Sequence, residues 1–162
     1  MKLILITCML LSCIMATGQV QEPKFAGDVA ILNEDGTLTL IQNDEAKLGA
    51  AFNVSVDGTT ASISIPAKPN IQVIVKADDM NTSPKTLITA FKLKVKKGKR
   101  TALMNGYVKS KDIIKYTYDT YGESSYILTF TDLEPGEYGV WYGDVMEKNM
   151  LGEHEMAFFS VE

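Results

Sequence analysis

The stretch "DLEPGEYGVWY", residues 132–142, decides the fold that this sequence predicts. Its Pro135-Gly136 pair indicates a sharp corner, because proline fixes φ and glycine reaches backbone conformations that are closed to most residues. Leu133, just before the corner, is expected to plug the core. Tyr138, just after it, begins a segment rich in aromatic residues. We therefore predict that a turn leads here into a buried strand.

This corner resembles the one that enters the penultimate strand of immunoglobulin-like and fibronectin type III-like sandwiches. In those folds a tyrosine at the start of the strand turns its hydroxyl back onto upstream backbone and ties the corner. The resemblance implies that Leu133, Pro135, Gly136 and Tyr138 are structural residues of such a corner.

Alternation along the strand after the corner divides its side chains between two faces. Tyr138, Val140 and Tyr142 share the face that the corner turns inward, which leaves Trp141 on the opposite face. An indole on the outer face of a sheet needs cover from the chain or from a ligand. Two interpretations stay open: another part of the chain, such as the loop 143–153, covers Trp141, or a ligand stacks on it.

The rest of the chain carries the same period-two pattern of a β protein. Alternating segments lie at 30–32, 38–41, 52–56, 61–65, 71–75, 87–95, 114–118, 126–130, 138–142 and 156–161. Turn residues separate them, and Asp57-Gly58 is expected to turn the chain between two such strands. Helical patterns are confined to 43–51 and 145–151, each with room for a turn or two. About ten short strands without an amphipathic crossover helix predict an all-β, immunoglobulin-like antiparallel β-sandwich.

The N-terminus has the composition of a signal peptide, which we expect to span residues 1–18. A lysine precedes an apolar run from Leu3 to Met15, and small residues follow it before Gln19. A second interpretation is a lipoprotein signal, because Leu10-Leu11-Ser12-Cys13 resembles a bacterial lipobox in which Cys13 would be lipidated. We therefore expect an exported protein, periplasmic or secreted, with membrane attachment only if Cys13 is lipidated.

Export would leave a single β-sandwich domain, residues 19–162, that contains no cysteine, because both cysteines lie in the expected signal. A disulfide framework, a thiolate zinc site and a cysteine nucleophile are then excluded for that domain. The loop 77–85, "ADDMNTSPK", is the place where the domain could divide into two subdomains. The net charge of −4 is mild and does not suggest nucleic-acid binding.

The chain has one histidine, His154, which lies between two glutamates. A serine–histidine–acid triad would have to use it, yet no Gly-x-Ser-x-Gly elbow surrounds any serine. A second imidazole for a histidine-based metal site is lacking, and so is a glycine-rich phosphate loop. We predict a protein that is not an enzyme and takes no metal or cofactor. Paired carboxylates that meet only in space leave a small hydrolase as one alternative.

Lys92, Lys94 and Lys96 share one parity of the predicted strand at 87–95. One interpretation is protection of an exposed sheet edge against strand pairing. The other is a stripe that binds an anionic partner. For a carbohydrate ligand, Trp141 together with Tyr121 would form the aromatic platform.

Four segments extend the resemblance over the C-terminal half. They are "FKLKVKKGKR" (91–100), "YGESSYILTF" (121–130), the corner at 132–142 and "MAFFSVE" (156–162). The set is similar to uncharacterised small exported proteins of Gram-negative, gut-type bacteria, which implies compartment and fold but no mechanism. The expected function is a non-catalytic interaction or assembly module at the bacterial cell envelope, with a protein or glycan partner. A carbohydrate-binding module is the alternative.

Overall fold

The computed structural model describes residues 20–104, 111–143 and 151–162. The expected signal peptide, including Cys13, lies outside the described residues, and so does most of the segment 145–151. The strands are β1 Val29–Leu32, β2 Leu38–Ile41, β3 Asn43–Gly49, β4 Asn53–Asp57, β5 Ser64–Ile65, β6 Asn70–Lys76, β7 Ile88–Lys96, β8 Lys99–Leu103, β9 Thr117–Tyr121, β10 Ser125–Thr131, β11 Gly136–Tyr142 and β12 Gly152–Val161. A 3-10 turn, Ala50–Phe52, and a short helix α1, Pro84–Leu87, complete the described elements.

The strands divide into an open sheet and a closed barrel. Five strands form the open sheet in the order β2-β1-β6-β10-β9, with every neighbour antiparallel. Six strands follow the order β11-β7-β8-β4-β3-β12, and the pairing of β11 with β12 closes them into a barrel. β5 is not part of the closed ring of six strands, and it pairs in parallel with the end of β12.

The prediction of an all-β chain is confirmed, but the immunoglobulin-like β-sandwich is wrong. A sandwich stacks two open sheets, whereas here one of the two layers closes on itself. The physical reason lies in β11, which is buried on both faces from Glu137 to Trp141. A strand with two buried faces needs cover on both sides. The open sheet covers one face, and closure of the barrel covers the other.

Two local predictions also differ from the structure. The segment 43–51 forms the strand β3 over most of its length instead of a helical turn, because Ala46 and Leu48 alternate inward with polar neighbours outward. Residues 61–65 supply only the two-residue strand β5, and it does not form a hairpin with β4 across Asp57-Gly58. β4 pairs instead with β3 and β8.

Two hydrophobic clusters hold these layers together. One fills the barrel: Ala46, Leu48, Val54, Val56, Phe91, Leu93, Ala102, Met104, Trp141, Met156 and Phe158. The other lies between the layers, where Val29, Ile31, Ile41, Ile71, Val73, Val75, Tyr126, Leu128 and Phe130 of the open sheet meet Ile88, Ala90, Tyr138, Val140, Ala157, Phe159 and Val161 of the barrel wall. The loop 77–85 and α1 connect β6 of the open sheet to β7 of the barrel. The second hydrophobic cluster contains residues of both layers and therefore joins them.

Candidate functional site

The corner at the start of β11 is tied by its tyrosine. The Tyr138 hydroxyl donates to the carbonyl oxygen of Glu134, four residues upstream, at 2.6 Å. Leu133 packs against the core between the layers, while Pro135 is exposed at the turn. Gly136 has a φ of +152°, a conformation that favours glycine. These four residues are therefore placed as structural parts of the corner.

Trp141 lies inside the barrel and is only 5 % exposed. Its ring meets the ring of His154 edge-on, with the centroids 5.8 Å apart. Tyr121 lies on β9, at the edge of the open sheet, so the structure does not bring the two aromatic residues together. The barrel wall thus covers Trp141, and the indole face is not open to a sugar.

The lysines of β7 are not on a sheet edge, because β7 pairs with β11 on one side and with β8 on the other. Lys92 Nζ lies 2.9 Å from a carboxylate oxygen of Glu134, and this bond raises the pKa of Lys92. Lys94 Nζ lies 2.5 Å from Asp112 Oδ1. Lys96 is exposed. Two of the three cations are thus paired with acids of the same chain, which weakens the case for an anion-binding stripe.

Asp112 is a buried acid that the sequence analysis did not single out. Besides Lys94, its carboxylate accepts a hydrogen bond from the backbone nitrogen of Leu103 on β8, at 3.0 Å. Its carbonyl oxygen accepts one from the nitrogen of Lys92 on β7, at 2.7 Å. Asp112 therefore joins β7 to β8 where these strands diverge. An acid in a short polar segment gives no sequence signal of such burial.

A second buried polar cluster closes one end of the barrel. Arg100 and Glu137 are 2 % and 7 % exposed, and Arg100 Nη1 lies 3.5 Å from Glu137 Oε2. The same carboxylate accepts hydrogen bonds from Ser160 Oγ at 2.6 Å and from the nitrogen of Ala61 at 2.8 Å. The other guanidinium nitrogen, Nη2, lies 3.5 Å from Asp44. Arg100 and Glu137 therefore neutralise each other's buried charge, while Arg100 Nε is buried without a hydrogen-bond partner among the described residues.

A third polar cluster fixes the N-terminal segment to the open sheet. The Glu22 carboxylate accepts hydrogen bonds from Lys76 Nζ at 2.8 Å and Ser125 Oγ at 2.7 Å. The backbone nitrogens of Glu123 and Ser124 donate to the same group. Burial acts to raise the pKa of Glu22, but these hydrogen bonds outweigh it and lower the pKa to about 2. Glu22 is therefore ionised and held in place over the usual pH range.

Strand β9, Thr117–Tyr121, is the outermost strand of the open sheet. Within the described ranges it pairs with β10 alone, and its first four residues are exposed. Tyr118 is 41 % exposed, and Lys85 Nζ lies 5.9 Å from the centroid of its ring. The backbone nitrogen of Thr120 donates to Asp119 Oδ1 at 2.8 Å. β9 thus presents backbone and side chains that a partner can reach.

In the part of the chain that the structure describes, no three His, Cys, Asp or Glu side chains are grouped so that they could hold a metal ion. The described helices are also too short to cross a membrane. Comparison with protein-family models, curated proteins and solved structures gives no match to this chain.

Proposed function

We propose that this protein is a non-catalytic interaction module of the bacterial cell envelope, and that it binds a partner protein along the edge of β9. The observation that carries the proposal is the exposure of β9 at the end of the open sheet. Proteins usually protect such edges, because unpaired backbone groups recruit further strands. The opposite edge strand, β2, is one residue shorter, with four residues against five.

Pairing of an extended segment with a sheet edge is a common mode of peptide recognition. Main-chain hydrogen bonds supply affinity, and alternate side chains supply specificity. Tyr118 offers a large amphipathic side chain for such a contact, and aromatic residues are enriched in protein interfaces. The neighbouring Lys85 adds a positive charge that favours an acidic partner segment.

The non-catalytic part of the proposal rests on how the interior is used. Inside the barrel, Glu137 is paired with Arg100 and hydrogen-bonded to Ser160. His154 and Trp141 lie ring against ring at the other end. The export part rests on the composition of residues 1–18.

Site-specific photo-crosslinking in the producing bacterium tests the proposed edge. We expect a crosslinker in place of Tyr118 to give an adduct of defined mass, whereas the same crosslinker in place of Leu40 on β2 gives none. Leu40 is a matched control because it is also exposed, at 56 %, but on the opposite edge.

Thr120→Pro sharpens this experiment. The Thr120 nitrogen donates to a neighbouring side chain and is not needed by β10, so proline there should block strand addition and spare the fold. Thr120→Ala keeps the backbone donor and should keep the adduct. An adduct that survives Thr120→Pro, or that forms equally from position 40, contradicts the proposal.

The carbohydrate-binding alternative loses its main residue, because Trp141 is buried. Titration with a panel of polysaccharides should therefore leave the emission of this single tryptophan unchanged. A saturable shift in tryptophan emission would instead support a glycan ligand.

A further inference from the structure

An apolar groove lies beside β7, on the side of the barrel wall that faces away from the lumen. Its volume is about 340 Å³, within the range of small-molecule sites, which begins at about 300 Å³. Ile88 and Ala90 of β7 lie at its base and are only 2 % and 1 % exposed. Ile113, Ile114 and Tyr116, from the segment that leads into β9, form its wall. The groove is therefore distinct from the interior of the barrel, and it adjoins the edge of β9, where Lys85 also lies over the Tyr118 ring.

The wall of the groove is held in place by backbone contacts. The nitrogen of Ile114 donates to the carbonyl oxygen of Ala90 at 3.0 Å. The Tyr116 hydroxyl lies 2.7 Å from the carbonyl oxygen of Ile88, to which it donates. Burial raises the pKa of Tyr116 to about 12, so the phenol stays neutral. With its one proton used in this bond, Tyr116 presents its apolar ring to the groove.

The rim of the groove is positively charged. Lys85 and Lys115 both line it, and both are exposed. No acid lines the groove among the described residues, and no ion pair joins either lysine to an acid in that part of the chain. A half-buried apolar wall with two cations at the rim of the groove complements a molecule that has an aliphatic body and an anionic head.

We propose that this groove binds a single-chain anionic amphiphile, with the aliphatic chain against Ile113, Ile114 and Tyr116 and the anionic head group between Lys85 and Lys115. The site adjoins the partner surface at β9 and shares Lys85 with it, but its apolar lining comes from other residues and its occupancy does not depend on a protein partner. A free carboxylate and the head group of a membrane lipid share this chemistry, and we assign the groove to the free carboxylate.

Titration of the protein with decanoate, followed by nitrogen-15 NMR, tests the proposal. The protein is the processed form purified from the producing cell. Decanoate, kept below its micellar concentration, should give saturable shifts at the amides of Ile113 and Ile114. Decyltrimethylammonium has the same chain with the opposite charge and should give at least tenfold weaker binding. Equal binding of both probes, or shifts confined to other regions, would overturn the proposal.

Charge variants separate a specific head-group site from general apolar adsorption. Lys85→Gln with Lys115→Gln should weaken decanoate binding about fivefold, since an exposed ion pair contributes at most about 1 kcal/mol. Lys24→Gln with Lys96→Gln removes the same charge from exposed positions elsewhere and should leave binding unchanged. Equal losses in the two double variants would show that only net charge matters and would refute the site.

Vesicles distinguish the two sources of the ligand. The protein could float with phosphatidylglycerol vesicles in a way that requires Lys85 and Lys115, and yet show no NMR shifts with decanoate. That result would mean that the rim contacts a membrane surface, and it would overturn the assignment. Decanoate binding would stand even if no crosslink formed at Tyr118, so failure of the β9 proposal and failure of this one give different results.

Discussion

Gly139 on β11 lies against the barrel interior at the place where two phenylalanine rings meet. The rings of Phe91 and Phe158 pack edge to face, with their centroids 6.4 Å apart. A Cβ atom at position 139 would lie 2.4 Å from the Phe91 ring, closer than real Cβ contacts, and 3.0 Å from the Phe158 ring, which is a tight contact. Both rings are fully buried and have little freedom to move away.

Gly139→Ala should therefore destabilise the protein by overpacking, by about 1–3 kcal/mol. Urea denaturation provides the measurement. Gly49→Ala is a matched control, because a Cβ there meets its nearest atom at 3.7 Å, an ordinary contact. A Gly139→Ala variant as stable as the Gly49→Ala variant would show that the barrel interior can adjust.

Glu22 gives a second prediction at the level of single residues, and it depends on pH. Its pKa is lowered from 4.5 to about 2 in the folded protein, so its stabilising effect is present above pH 4.5 and is lost as the pH falls toward 2. Glu22→Gln keeps the shape but removes the charge. We expect it to cost about 1 kcal/mol at pH 7 and progressively less at lower pH.

Denaturation of the wild-type and Glu22→Gln proteins at a series of pH values checks this expectation. Glu34→Gln serves as the control, because the side chain of Glu34 is 88 % exposed and its ion pair with Lys68 is long, at 3.7 Å. A gap between wild type and Glu22→Gln that stayed constant down to pH 2 would contradict the lowered pKa.

At the scale of elements, the junction between β7 and β8 depends on Asp112. Asp112→Ala removes the acceptor of the Leu103 nitrogen and the partner of Lys94 at once. A hydrogen bond to a charged group contributes about 1.5–3 kcal/mol to stability. We expect a loss of about 2 kcal/mol in the free energy of unfolding, and faster amide exchange at Leu103.

Asp119→Ala is the control for this element. Asp119 is exposed on the edge strand β9, where its carboxylate accepts a bond from the neighbouring Thr120 nitrogen. Its removal should change stability by less than about 0.5 kcal/mol. Comparable losses from both aspartates would mean that the contacts of Asp112 at the β7–β8 junction contribute little.

β11 shows how far sequence reasoning reaches and where it stops. Alternation correctly separates Tyr138 and Val140, which face the open sheet, from Trp141, which faces the other way. Alternation is a local property, so it identifies the residues that share a face. It does not reveal that β11 pairs with the final strand, β12, and that this pairing buries the second face. The immunoglobulin-like prediction failed at this step.

The polar clusters could not be predicted for the same reason. Arg100 lies in a basic run that indicates a solvated surface, yet its side chain points into the barrel toward Glu137. Glu22 lies near the expected cleavage site, and its partners lie 54 to 103 residues away in the sequence. Pairing of this kind depends on the topology, which a single sequence does not specify. The corner at Tyr138 could be predicted from the sequence, because its hydrogen bond spans only four residues.

At the scale of the whole molecule, the two layers share one core and should unfold together. The open sheet and the barrel wall pack through the cluster that contains Leu128 and Phe159, both 0 % exposed. The chain also crosses between the layers repeatedly, so neither layer is a continuous segment that could fold alone. Cooperative unfolding of a single domain is expected from such an arrangement.

Trp141 makes this cooperativity measurable, because the single tryptophan reports on the barrel interior while circular dichroism reports on both layers. Ile71→Val, a change on the open sheet, should cost about 1 kcal/mol. We expect it to lower the midpoint of the tryptophan transition as much as that of the dichroism transition. A tryptophan midpoint that stays at its wild-type value would show that the barrel is stable without the sheet. The sheet would then be a separate layer that could open when a partner strand pairs with β9.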